Sequence, residues 1–100
     1  MRIVAKNSLL VFIRKHAQAE QAALAWYAEA SKASWKTPQD IKRQYASASF
    51  VGANRVVFNL KGNDFRLIVA VAYRIGVVYI KFVGTHAEYD KIDARTVTLE

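Results

Sequence analysis

Leu9, Phe12, Ile13 and His16 fall at i, i+3, i+4 and i+7, and Ala19, Ala23, Trp26, Tyr27 and Ala30 repeat helical spacing further on. Each set lines one side of an α-helix, so two amphipathic helices are expected, the first opened by Asn7 or Ser8 as N-cap. Thr37-Pro38-Gln39-Asp40 supplies a capping residue, a proline at the first helical position and an acid two residues later. That combination predicts a third, short helix ending near Tyr45. Arg2 to Ala5 reads as a short leading strand. From Asn54 onward β-branched and aromatic residues take over in three runs, around Val56 to Phe58, Phe65 to Tyr73 and Val77 to Val83. These predict three antiparallel strands, with turns at Lys61-Gly62-Asn63-Asp64 and Arg74-Ile75-Gly76. Thr85-His86-Ala87-Glu88 then matches a capping box and predicts a short last helix carrying His86, Tyr89 and Asp90. Helices first and an antiparallel meander after them define an α+β fold: N-terminal helices packed on a small antiparallel sheet, with a short C-terminal helix.

Alternation within the two longest strands separates two faces. Phe65, Leu67, Val69, Val71 and Tyr73, with Val78, Ile80 and Phe82, are uniformly apolar and must face the helices. The other parity holds Arg66, Ile68, Ala70, Ala72 and Arg74 on one strand and Val77, Tyr79, Lys81, Val83 and Thr85 on its neighbour, a mixed, basic and aromatic face. Joining these sets needs a two-residue loop at Ile75-Gly76, with Lys81 opposite Ala70, Tyr79 opposite Ala72 and Arg66 opposite Thr85. Turn chemistry prefers a three-residue loop with Gly76 in the left-handed region, because β-branched Ile75 resists positive φ. The apolar pattern favours the first pairing, and a bulge would reconcile the two. The expected result is a shallow trough floored by Ala70 and Ala72 and rimmed by Arg66, Lys81, Tyr79 and Arg74.

At 100 residues with 53% hydrophobic content the chain is expected to form one domain, residues 1–100, with a modest core. No apolar run is long enough to span a membrane and no signal-peptide core opens the chain, so a cytoplasmic protein is expected. The absence of cysteine excludes disulfides, thiolate metal sites and a Cys nucleophile. Fifteen Lys+Arg against eight Asp+Glu leave a net charge of +7. On charge alone the partner could be RNA, DNA, an acidic protein or a membrane surface. The segment from Ile41 to Lys81 concentrates that charge, with Lys42, Arg43, Arg55, Lys61, Arg66, Arg74 and Lys81 against only Asp64.

Candidate chemistry converges where the last strand meets the last helix. Arg66 and Lys81 can hold phosphate oxygens, Tyr79 or Tyr89 can stack on a base, and His86 can move a proton near neutral pH. Each also has a plain structural reading: a solvated sheet face for the cations, a first-turn surface residue for His86, helix packing for Tyr89, and surface acids for Asp90 and Asp93. His16 reads as a cation at a helix C-terminus. Two histidines far apart in sequence and scattered acids make no metal site, so no metal and no cofactor are expected. Without metal, RNA cleavage has one economical route, in which the substrate's own 2′-OH attacks the adjacent phosphate, aided by positioning, positive charge and acid–base groups.

The runs Asn59-Leu60-Lys61-Gly62-Asn63-Asp64-Phe65-Arg66-Leu67-Ile68 and Tyr79-Ile80-Lys81-Phe82-Val83-Gly84-Thr85-His86-Ala87-Glu88-Tyr89-Asp90-Lys91-Ile92-Asp93 closely resemble the HigB branch of the RelE-like toxins. That resemblance implies the toxin of a type II toxin–antitoxin system: an mRNA endoribonuclease, usually acting at the ribosome, held in a hetero-oligomer by a HigA-type helix-turn-helix antitoxin. It implies catalytic roles for His86, Arg66, Lys81 and Tyr89, with Asn59, Lys61 and Asn63 also at matching positions. Arg74 and Tyr79, on the same basic face, complete the expected RNA-binding set. The rival readings are a non-catalytic RNA- or ribosome-binding module and, more distantly, a domain that binds an acidic protein. Nothing in the N-terminal helices is expected to carry function.

Overall fold

The computed structural model describes residues 1–99 and is α+β, as the pattern requires. Strand β1 (Arg2–Val4) leads directly into α1 (Lys6–Lys15); a single 3-10 turn (Ala17–Ala19) joins it to α2 (Glu20–Lys32), and α3 (Pro38–Gln44) follows. Strands β2 (Ser49–Val51), β3 (Arg55–Leu60), β4 (Phe65–Ala72) and β5 (Val77–Thr85) come next, and α4 (His86–Tyr89) is the last helix. The first helix starts before Asn7 and Ser8, because the chain enters it straight from β1; Ala5 stands at the N-cap without a side-chain hydrogen bond. The other two helix starts match expectation. At α3 the Asp40 carboxylate accepts from the N–H groups of Lys36 (2.8 Å) and Thr37 (3.1 Å) and pairs with Arg43. Those donors hold it below the usual carboxylate range.

The sheet has five strands in the order β1-β5-β4-β3-β2, with β1 parallel to β5 and the other pairs antiparallel. Strand β2, unread in the sequence, pairs with β3 through the Gly52-Ala53-Asn54 turn, in which Ala53 and Asn54 both take positive φ. The helices pack on one face. Leu9, Phe12, Ala23, Trp26, Trp35 and Ile41 meet Val56, Phe58, Leu60, Leu67, Val69, Val71, Val78 and Ile80 in one buried cluster. Burying these side chains supplies most of the stabilisation, at roughly 1.5–3 kcal/mol for each large apolar group. Tyr45 closes one side of the cluster, where burial and the hydrogen bond its hydroxyl gives to Glu29 push the phenol well above its usual range.

The β4–β5 hairpin corrects the expected pairing. Its loop has four residues, Tyr73 to Gly76, between paired Ala72 and Val77, and Gly76 adopts φ +70° while its N–H donates to the Ala72 carbonyl at 3.0 Å. Turn chemistry therefore prevailed over the two-residue loop. Tyr79 stands opposite Ala70, not Ala72, and Arg66 opposite Gly84, not Thr85. Between them a bulge interrupts the ladder: Val69 pairs with Ile80 and Ile68 with Phe82, leaving Lys81 without a partner, so it does not oppose Ala70. Beyond the bulge the parity of β5 reverses. Phe82 joins Ile68 on the face away from the helices, and Val83 turns to the helix face in its place.

That second face is not the open trough the alternation suggested. Val57 and Ile68 are buried there outside the main cluster. The segment after α4 lies over it, held by Arg55, whose guanidinium donates to the carbonyls of Ala94 (3.1 Å) and Val97. Arg55 is thus occupied in tertiary structure. Among the described residues, no helix is long and apolar enough to cross a membrane.

Candidate functional site

The exposed chemistry gathers at the end of the sheet where β4 begins and β5 finishes. Arg66 lies on the face away from the helices, flanked by Asn59 on β3 and Gly84 on β5. Its guanidinium donates to the Asn63 carbonyl at 2.8 Å and lies 5.6 Å from the centre of the Tyr89 ring. A cation at this range from an aromatic face is attracted to the ring, which aligns the two side chains. The Arg66 fork is half-buried and keeps further N–H groups for an anion.

His86 reaches the same place through its backbone. Its N–H donates to the Asp64 carbonyl at 3.0 Å, tying the start of α4 to the turn between β3 and β4. The capping box fixes the helix direction: Thr85 N–H donates to Glu88 Oε1 at 2.8 Å, and Thr85 Oγ1 accepts from the Glu88 N–H at 3.1 Å. The imidazole is exposed, with Nε2 3.6 Å from Asp90 Oδ1. That separation is beyond a hydrogen bond. One helical turn carries both His86 and Tyr89, so the geometry of this turn sets how they stand relative to Arg66.

Gly84 makes that geometry possible. A Cβ at this position would lie 2.7 Å from Phe82 Cζ and 2.8 Å from Glu88 Oε1, the oxygen that caps α4. Gly84→Ala is therefore expected to destabilise the protein by about 1–3 kcal/mol through overpacking. Thermal unfolding should show a melting temperature lowered by several degrees; an unchanged value would mean that Phe82 and Glu88 yield freely.

The remaining expected residues divide. Lys61 is exposed in the turn with φ +49°, an uncommon conformation for lysine that costs roughly 1 kcal/mol and fixes where its chain departs. Asn63 shares this turn. Lys81, at the bulge, holds its ammonium 5.7 Å from the Tyr79 ring centre and forms a second cation–aromatic pair further along β5. Tyr79 is opposite Ala70, four residues beyond Arg66, roughly 13 Å along the strand at ~3.3 Å per residue. Arg74 does not join the site. It sits in the turn past the other end of β4, about 25 Å along the strand from Arg66.

One residue at this end has only a structural reading in the sequence, as a cation at a helix C-terminus. His16 lines an open cleft of about 680 Å³ together with Gln18, Asn63, Asp64, Phe65, Thr85, His86 and Ala87. The signal was present: His16 closes the i, i+3, i+4, i+7 stripe of the first helix, and a polar residue on a buried stripe emerges where that stripe meets the sheet edge. Among the described residues, no group of three or more His, Asp or Glu side chains is placed to hold a metal ion.

Comparison with known proteins agrees with the fold. No curated protein matches the chain. The model of the HigB_toxin family, the RelE-like toxic component of a toxin–antitoxin system, matches residues 19–92, which include strands β2 to β5 and α4. Arg66, Lys81, His86 and Tyr89 all fall within the matched region. The chain belongs to the HigB_toxin family and is the RelE-like toxic component of a toxin–antitoxin system, with an antitoxin as its implied partner.

Proposed function

We propose that this toxin, as one domain of residues 1–100, is an endoribonuclease that cleaves mRNA at the ribosome in the cytoplasm and is held inactive in a hetero-oligomer with a HigA-type helix-turn-helix antitoxin. The observation that carries this reading is the arrangement of Arg66, Tyr89 and His86 at one end of the sheet, with the guanidinium against the Tyr89 ring and His86 one turn before it. In the reaction the 2′-oxygen bonds to phosphorus and the bond to the 5′-oxygen breaks, leaving a 2′,3′-cyclic phosphate and a free 5′-hydroxyl. His86 takes the 2′-OH proton. Tyr89 returns a proton to the departing 5′-oxygen. Arg66 faces the charge that builds on the non-bridging oxygens, and Lys81 with Tyr79 holds the strand one step along. Asn59, Lys61 and Asn63 border the path on the β3 side.

Inducible expression in bacteria tests the proposal. The wild-type protein should stop growth with rapid loss of mRNA, and co-expression of the antitoxin should restore growth. His86→Ala should lower cleavage by about 10²–10⁴-fold, the usual contribution of a general acid or base. Harmless accumulation of folded wild-type protein would sink the reading. RNA binding without cleavage would leave a non-catalytic module on the same basic face.

A further inference from the structure

The cleft beside His86 contains an aromatic ring that the proposed cleavage does not use. His16, at the C-terminal cap of α1, is half-buried, and its ring centre lies 4.9 Å from that of Phe12 and 5.5 Å from that of Phe65. The two phenyl rings are themselves 5.4 Å apart in an edge-to-face contact, so the three rings form a triangle. Phe12 and Phe65 belong to the buried core and hold His16 in place from behind. Gln18, Asn63 and Asp64 line the same cleft as His16. A flat ring packed on two phenyl rings, in a cleft that Gln18, Asn63 and Asp64 also line, offers what a nucleobase requires: a surface to stack on and polar residues to meet its edge.

The geometry points to a nucleobase subsite at this end of the cleft, in which His16 stacks against a base of single-stranded RNA next to the bond cleaved at His86, and Gln18, Asn63 and Asp64 meet the edge of that base. The family match begins at residue 19, so His16 and Gln18 lie outside it. The inference rests on RNA lying along His86. It assigns His16 a binding role through its face, and it does not require a proton transfer there. Arg14 and Lys15, exposed at the same end of α1, add positive charge beside the subsite.

Binding of the full chain to a single-stranded 2′-O-methyl RNA oligonucleotide, which cannot undergo 2′-OH attack, tests the subsite separately from cleavage. His16→Phe should bind within about twofold of wild type. His16→Leu, of similar bulk and equally able to pack on Phe12 and Phe65, should bind about tenfold more weakly, the usual loss on removing one stacking ring. Unchanged melting temperatures would show both variants folded. Wild-type affinity in His16→Leu would overturn the subsite, as would an equal loss in His16→Phe, which would mean that charge or hydrogen bonding matters rather than the ring face. Failure of the wild type to bind would overturn it too. Cleavage of unmodified RNA, measured in parallel, judges the nuclease reading: a protein that binds through His16 but does not cleave would retain the subsite and lose the nuclease.

Discussion

Replacing Arg66 with alanine is expected to reduce RNA cleavage by about 10²–10³-fold, the usual effect of removing one preorganised charge that faces the developing oxyanion. The position of the side chain argues for an effect at the upper end. Arg66 is half-buried, its guanidinium is fixed by the Asn63 carbonyl and the Tyr89 ring, and it needs no reorganisation when charge accumulates on the phosphate. Alanine also releases Tyr89 from its cationic neighbour, so the proton donor loses its alignment at the same time. Arg66→Lys keeps the charge but loses the planar fork, and it should recover only part of the loss. The fold should survive, because the hydrogen bonds lost go only to the Asn63 and Phe65 carbonyls. Single-turnover cleavage of a defined RNA, with melting temperature as a control, measures both effects. Cleavage by Arg66→Ala within threefold of wild type would remove Arg66 from the reaction.

The parts of this fold that were legible in the sequence are those governed by local chemistry. Helical spacing placed α1 and α2, Thr37-Pro38 placed α3, and Thr85 with Glu88 placed α4, because caps and periodicity act over a few residues. The β4–β5 register was not legible, because two local rules disagreed. The apolar alternation asked for a two-residue loop and Gly76 for a three-residue one; the chain takes neither, closing a four-residue loop with Gly76 at positive φ and a bulge at Lys81 beyond which Phe82 and Val83 exchange faces. A bulge is a compromise between strands and leaves no mark in one strand alone. Arg55 is grouped with the other cations by sequence position, and Arg74 by extending the alternation of β4 past its end. Tertiary placement ties Arg55 to the Ala94 and Val97 carbonyls and puts Arg74 in a distant turn. His16 read only as a helix-terminal cation for the converse reason: seventy residues separate it from His86, and the packing of Phe12 on Phe65 brings them to one cleft.

Phe58→Ala should produce the largest loss of stability, about 3–5 kcal/mol. Phe58 is 2% exposed and stands at the centre of an aromatic group, with ring centres 5.1 Å from Tyr45, 5.5 Å from Trp26 and 6.2 Å from Trp35. These partners come from α2, α3's C-terminal cap and the link between those helices, so the ring joins β3 to much of the helical layer at once. Its neighbour Trp26 is itself buried, so the cavity opens inside the core, away from solvent. For a domain stabilised by roughly 5–15 kcal/mol this is a large share of the total. Urea unfolding should show a midpoint lowered by roughly 2 M or more at an unchanged slope. Phe58 points to the helix layer while Asn59, the next residue, stands beside Arg66 on the other face. Cleavage per folded molecule should therefore stay near the wild-type value in Phe58→Ala, the reverse of Arg66→Ala. A variant that stays folded yet loses cleavage would show that the helix layer positions Arg66 through β3, and that the two faces of the sheet are not independent.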